Sequence, residues 1–397
     1  MSDSHFKKAE VSQQKRRQLL AYLQDRRGFD DLVRLGYLVV ILSAIAVFFG
    51  QKLAGGTALL LGILTIKCLS GVTRPPSNNP WKFLLAFSHV EKEERKAPVL
   101  VCLGDSITHG QVSANWVADI LPSLAQKINY PDTVGQETLF QYPLYVINAG
   151  QNALPSRVIV RERIKPTLEC RPDYVVLMIG TNDVLGMYLD WYGRHLRRSF
   201  KLKGEEPSWK AFERNVGDIL DGLLDTESST EKSSLKRKVA ICTLPPLGED
   251  LTSEANRLVK QANTMIEKLA EARNKKKNIK TAITVLPVFE RMQARLLQQV
   301  HHQPSSLSSQ GTGIAKPNYF WKRPNVDFYY VYAAVMAPFR YIFGFQWKRI
   351  SKVIDHELLA DPVHLNENGG EIVTELVVEW LLKEKVEKAI KEASSSS

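Results

Sequence analysis

Four short stretches carry the side chains best suited to joint chemistry. Gly104-Asp105-Ser106-Ile107-Thr108-His109-Gly110 offers a hydroxyl next to a carboxylate. Ala149-Gly150-Gln151-Asn152 offers a glycine N–H that a ligand can approach closely, and Gly180-Thr181-Asn182-Asp183 offers a primary amide. Asp361-Pro362-Val363-His364 places a carboxylate three residues before an imidazole. Together these are the parts of acyl transfer. A hydroxyl nucleophile, Ser106, needs a neighbouring base, and a histidine serves near neutral pH. That base, His364, needs an acceptor that holds its tautomer, and Asp361 can supply one from a turn. The tetrahedral oxyanion needs donors, and Ser106 N–H, Gly150 N–H and the Asn182 amide suit that role. Asp105 and Asp183 read as supporting residues that hold their loops by hydrogen bonds.

The elements that must position these groups follow from hydrophobic patterning. Apolar runs at Pro98–Leu103, Leu144–Asn148, Tyr174–Ile179, Lys238–Thr243 and Thr281–Leu286 read as five strands. Helical spacing covers Trp116–Ile128, Trp209–Leu224 with Ser208 as N-cap, Ser253–Arg273 and Gly370–Ile390. Strands that are apolar on both faces and alternate with helices imply a parallel sheet covered on both sides. In such sheets chemistry gathers at the carboxyl ends of the strands. The first three stretches each follow a strand directly, and the fourth precedes the last helix.

In these blocks the sequence resembles the SGNH (GDSL) hydrolase superfamily. Gly-Asp-Ser106 is similar to its first motif, Gly150 to its second, Gly180-x-Asn182-Asp183 to its third and Asp361-x-x-His364 to its last. The resemblance runs from Ala97 to about Glu379. It implies a flavodoxin-like three-layer α/β/α sandwich with a parallel five-stranded sheet. It also implies hydrolysis of esters or thioesters, or acyl transfer, without a metal or organic cofactor. Two features depart from the family pattern: a long aromatic-rich insertion at about 290–350, and an apolar segment upstream.

That upstream segment shapes the domain reading. Residues 1–34 form a basic N-terminal segment with a helix expected over Val11–Arg27; 35–70 form a membrane hairpin or span; 71–96 form a linker; 97–392 form the hydrolase domain. Leu35–Gly50 and Leu53–Ile66 carry no charge, and Gln51-Lys52 interrupts them. Each half is shorter than the ~20 residues a straight helix needs to cross a bilayer, and together they exceed it. Arg26, Arg27 and Arg34 precede the segment and Lys67, Arg74 and Lys82 follow it, so both ends favour the cytosolic side. The start is late and the apolar part long for a cleaved signal peptide. Lys+Arg 53 against Asp+Glu 42 gives a net charge of +11, which suits anionic lipid. No nucleic-acid fingerprint accompanies the charge, so no nucleic-acid partner is expected. Four cysteines without paired spacing make neither a disulfide scaffold nor a zinc site.

Other residues have plainer readings. His109 reads as lining the pocket or supporting it, and Cys102 as packing. His301-His302 reads as a solvated pair in a Gln/Ser/Pro-rich loop rather than a metal site. Arg194, Arg197, Arg198, Lys201 and Lys203 form a basic cluster, either a solvated face or a contact for anionic groups. The run Phe328–Trp347 is dense in aromatics and followed by Lys348 and Arg349; it reads as a lid or membrane-dipping element. The expectation is a membrane-anchored serine esterase for an acyl ester of lipid origin, with membrane lipid as partner and the oligomeric state open. An acyltransferase or a small-acyl (acetyl) esterase would use the same residues. An inactive membrane scaffold is the reading outside enzymes.

Overall fold

The computed structural model describes residues 52–87, 95, 97–129, 143–224, 237–275, 282–302 and 326–395. The helix expected over Val11–Arg27, the apolar half Leu35–Gly50 and the Ser/Gln-rich run Pro304–Gly313 lie outside the described residues.

All five expected strands are present: β1 (Val99–Gly104), β2 (Tyr145–Gly150), β3 (Tyr174–Met178), β4 (Lys238–Cys242) and β5 (Ile283–Leu286). They pair in parallel in the order β2-β1-β3-β4-β5. The helices are α1 (Lys52–Thr73), α2 (Pro80–Phe87), α3 (Ser106–His109), α4 (Trp116–Lys127), α5 (Thr181–Tyr188), α6 (Asp190–Ser199), α7 (Trp209–Leu224), α8 (Glu254–Asn274), α9 (Val288–His302), α10 (Tyr329–Tyr341), α11 (Trp347–Ser351), α12 (Glu367–Lys383) and α13 (Val386–Ser395). Residues 156–169 add an irregular helical stretch, π-wound over Ile159–Arg163.

Alternate strand residues feed cores on the two faces of the sheet. Leu103, Val175, Leu177, Val239 and Ile241 pack with Phe212, Leu220, Val259 and Ile266 on one face. Leu100, Cys102, Val176, Met178, Ala240 and Cys242 pack with Trp116, Ile120, Val377 and Leu381 on the other. This burial is why the strands are apolar on both sides, and it makes three layers. β1 lies between β2 and β3, so the chain reverses direction across the sheet there and leaves a crevice at the strand ends. Gly104, Gly150 and Met178 lie in register at that edge.

The structure differs from the sequence expectation at several elements. The stretch read as a linker, 71–96, ends α1 and holds α2. Asn79 Oδ1 accepts from Lys82 N–H and its Nδ2 donates to Pro76 O, so a helix starts at Pro80, where a missing N–H costs nothing. The C-terminal helix expected over Gly370–Ile390 breaks into α12 and α13. Lys385 takes a left-handed φ of 61° and turns the chain so that Val386 and Ile390 return to the core. His301 and His302 end α9 rather than lying in a loop.

The apolar segment is described only in its second half. There Lys52–Thr73 is one continuous helix, with no turn at Gly55-Gly56. Among the described residues no helix is long and apolar enough to cross a membrane, so neither the hairpin nor the span is shown. The far end of α1 is tied to the body. Asn152 Nδ2 donates to Val72 O at 2.9 Å, and Gly71 leaves room for the Tyr341 ring, which any β-carbon there would strike.

One glycine connects packing to the site. Gly180 sits at φ +130°, where an L side chain is strained, and a β-carbon would lie 2.7 Å from Phe212 Cε2. Gly180→Ala is expected to cost about 1–3 kcal/mol from backbone strain, with further loss from the clash. It should also shift Asn182, two residues on. Urea unfolding should show a lower midpoint with an unchanged slope; an unaltered midpoint would refute the strain argument.

Candidate active site

Each predicted site residue lies where a strand or loop ends in the crevice. β1 stops at Gly104, and Asp105 caps α3 by accepting the Ile107 N–H at 3.0 Å. Ser106 is therefore the first residue of α3, a position whose N–H has no acceptor within the helix. Gly110, at φ +78°, ends that helix after one turn. The Ser106 side chain is buried and points at the His364 loop.

Ser106 Oγ lies 3.0 Å from His364 Nε2. His364 Nδ1 lies 2.7 Å from Asp361 Oδ2. The other oxygen, Asp361 Oδ1, accepts the backbone N–H of Val363 and of His364 at 2.7 and 2.9 Å. One carboxylate thus folds its own loop and orients the imidazole. With Nδ1 donating to Asp361, Nε2 is left as the acceptor facing Ser106. Burial by itself lowers the His364 pKa, but the charge and hydrogen bond of Asp361 and the charge of Asp105 overcome it. The net shift is upward from 6.5.

The predicted oxyanion donors converge on the same region, and two of them already hold protein partners. Gly150 N–H donates to Asn148 Oδ1 at 2.9 Å. The Asn182 amide donates to Asp105 Oδ2 at 3.2 Å and to Leu154 O at 3.1 Å. Its oxygen accepts from the Tyr192 hydroxyl, so the amide plane is held from both ends. Gly150 must be glycine because a β-carbon would run into the His109 backbone.

The supporting carboxylates are buried. Burial raises Asp105 to about 7, against the opposing hydrogen bond from Ile107 and the charge of His364. Burial likewise raises Asp183 to about 6. Asp183 accepts from Ser156 N–H at 2.8 Å and from Ser156 Oγ at 2.6 Å, and so pins the loop after β2. His109 is buried on α3 and held neutral by burial, which lowers it to about 4. On α6, Arg194 and Arg198 face outward while Tyr192 and Leu196 are buried.

Several positioning residues had no local sequence signal. Glu249 Oε1 accepts the N–H groups of Leu358 and Leu359 at 2.7 and 3.0 Å, and Oε2 accepts that of Glu357 at 2.9 Å. It thereby anchors the approach to Asp361. Asn256 holds the Glu249 loop by donating to Leu247 O, Gly248 O and Asp250 O. Ser113 Oγ accepts the Leu365 N–H at 3.0 Å, joining the loop after α3 to the His364 loop. Asn148 Nδ2 donates to Thr108 O at 2.9 Å, joining β2 to α3.

Residues 102–278 match the family model of the GDSL-like Lipase/Acylhydrolase family. The match supports a hydrolase, and within that class an esterase. It includes Ser106, Gly150 and Asn182 and ends before Asp361 and His364, which the fold brings to Ser106. No curated protein matches the chain at a significant level. Among solved structures, the chain is similar to Axe2, an acetylxylan esterase from Geobacillus stearothermophilus, at 15% identity. That likeness covers 71% of this chain and 93% of that one, with a TM-score of 0.41. It is similar to an acetyl xylan esterase, AlAXEase, at 17% identity over 71% and 99% of the two chains, with a TM-score of 0.43. It is also similar to a lipase/acylhydrolase from Enterococcus faecalis at 17% identity over 72% and 95%, with a TM-score of 0.39.

Two outcomes follow from the site geometry. A base that must be neutral to accept a proton gains activity as pH rises through its pKa, so the acid limb of kcat/KM should lie above pH 6.5. Asp361→Asn removes the charge and hydrogen bond that raise His364 and leaves only the Asp105 charge doing so, so that limb should move down while the plateau falls about 10³–10⁴-fold. A pH–rate profile with the limb below pH 6 in wild type would contradict this. For Glu249, the Ala variant frees three N–H groups, and kcat should drop roughly 10–100-fold with KM little changed. Glu249→Gln keeps one accepting oxygen and should recover part of that loss; equal activity in all three proteins would remove Glu249 from the positioning role.

Proposed function

We propose that the protein is a serine ester hydrolase that cleaves acyl esters through Ser106, His364 and Asp361. The observation that carries this reading is the hydrogen-bonded chain from Ser106 Oγ through His364 to Asp361. In the first half-reaction His364 Nε2 takes the Ser106 proton as Oγ bonds to the acyl carbonyl carbon. Negative charge forms on the carbonyl oxygen and meets Ser106 N–H, Gly150 N–H and the Asn182 amide. For the last two, the oxyanion shares or replaces the acceptors Asn148 Oδ1, Asp105 Oδ2 and Leu154 O. The tetrahedral species collapses as the alkoxide leaves with the proton from His364. Water then repeats the sequence on the acyl-enzyme and frees the acid. The Asp361 carboxylate balances the imidazolium.

The substrate proposed is an acyl ester of lipid origin, such as a lysophospholipid or acylglycerol, met at a membrane. Support comes from the uncharged run Leu35–Gly50, from α1, which leaves Leu60, Leu61 and Ile63 exposed, and from the aromatic insertion. In this reading residues 35–70 anchor the chain, membrane lipid is the partner, and basic flanks keep the catalytic part on the cytosolic side.

The test is an acyl-chain series of nitrophenyl esters, from acetate to palmitate, with wild type and Ser106→Ala in detergent. Wild type should prefer long chains, and the variant should lose roughly 10⁴-fold or more in kcat. His364→Ala should lose about as much, and the double variant little more, because the residues act as one unit. A preference for acetate would move the substrate to small acyl esters. Nitrophenol release only when an acceptor alcohol is supplied, with the acyl group recovered on that alcohol, would make the protein an acyltransferase. Undiminished activity in Ser106→Ala would end the proposal.

A further inference from the structure

The aromatic insertion does not behave as one surface. Trp347 is 4% exposed, its N–H bonded to Glu367, and Tyr332 and Met336 are buried beside it. These residues pack the insertion onto the body. Phe343 is 63% exposed and Phe339 is 41% exposed. Together with half-buried Phe345 they form a ring cluster with centroids 6.1–6.3 Å apart. The cluster surrounds a turn at Gly344, φ +73°, where even an added β-carbon would meet nothing within 4 Å. It is therefore the tip of a projection.

Cations frame this tip. Arg349 lies 4.1 Å above the Phe345 ring. Lys348, Arg349 and Lys352 are exposed, and Val353 beside them is 68% exposed. Between Asp327 and Asp355 the chain has Arg340, Lys348, Arg349 and Lys352 and no acidic residue. Glu367, the acid that reaches this segment, is occupied by the backbone N–H groups of Trp347 and Lys348. The Tyr341 ring fills the notch at Gly71 of α1; Lys67 on that helix and Arg74 just past its end are exposed, and α1 also leaves Leu60, Leu61 and Ile63 exposed.

We infer that the surface of Phe339, Phe343, Phe345, Lys348, Arg349 and Lys352 docks on the headgroup region of an anionic phospholipid bilayer. The inference rests on the reading of the protein as a lipid esterase at a membrane, and names the surface that would face it. Exposed aromatic tips suit the interface, and the framing cations suit a negative headgroup layer. A second copy of the chain is a poor occupant, because the contact would set one basic patch against another. The Tyr341 hydroxyl donates to Gln111 O, on the loop that follows α3. Docking would thus hold the nucleophile's loop close to the bilayer.

The test is hydrogen–deuterium exchange of the full-length protein with vesicles of phosphatidylcholine alone and of phosphatidylcholine mixed with phosphatidylserine. Amides of residues 339–353 should exchange roughly tenfold more slowly with the mixed vesicles than with the neutral ones. That protection should vanish in Phe339→Asp/Phe343→Asp and in Lys348→Glu/Arg349→Glu, all exposed or partly exposed positions. Equal exchange in both vesicle types, or protection that survives charge reversal, would overturn the inference. So would protection without lipid that grows with protein concentration, the mark of a second copy. The readout does not use turnover: a protein that docks but hydrolyses no ester leaves the surface standing and removes the esterase.

Discussion

A single carboxylate sets the geometry on which the site depends. Asp361 receives two backbone N–H groups on one oxygen and the His364 ring on the other. A loop folded around that charge cannot choose its imidazole orientation independently of its backbone. The demand on the remainder of the chain is to bring this loop to Ser106, 258 residues earlier in sequence. The sheet meets half of that demand by ending β1, β2 and β3 at one edge. Glu249, Ser113 and Asn366 meet the other half, each joining the His364 loop to a separately anchored element. Asn366 does so twice, capping α12 and donating to Ser351 Oγ and Glu357 O.

The crevice keeps buried carboxylates next to one another, at an electrostatic cost. Asp105 and Asp183 are both raised by burial, and Asp105 also feels the charge of Asp183. Each nevertheless organises a loop through N–H groups that would otherwise be orphaned. Asp105 has a second effect: its charge helps hold His364 above the ordinary histidine range. A residue that serves as a helix cap in the local structure thus also tunes the imidazole proposed as the base. The cost of burying it is offset locally, by the Ile107 N–H and the Asn182 amide.

What could be read from the sequence, and what could not, divides along the same line. Strands buried on both faces announce themselves as uninterrupted apolar runs, so β1 to β5 were legible. The residues at their ends were legible because reactive types at strand ends form recognisable blocks. Glu249, Asn256 and Tyr192 were not, because their work is done across loops distant in sequence, and nothing in their neighbours marks them. The break at Lys385 was hidden because no Gly or Pro announces it. Aromatic density located the insertion without sorting it: Trp347 and Tyr332 face inward and Phe339 and Phe343 outward, and only packing partners such as Glu367 decide which.

Ties between the upstream helix and the crevice give the insertion a mechanical meaning. Asn152 lies two residues after Gly150 and grips Val72 at the end of α1. Tyr341 touches α1 at Gly71 and the loop after α3 at Gln111. At the other end of α10, Tyr329 stacks against Trp191 and meets Tyr192 edge-on at 5.8 Å, and Tyr192 holds Asn182. α10 therefore spans from the apolar helix to the amide proposed to meet the oxyanion, with one ring intervening at that end. Packed interiors transmit displacement because they have few voids to absorb it. A force applied to the exposed tip at Phe343 would reach Gln111 through Tyr341 and Asn182 through Tyr329 and Tyr192. A free-standing flap would lack both connections, so the insertion braces its exposed aromatic tip against the site.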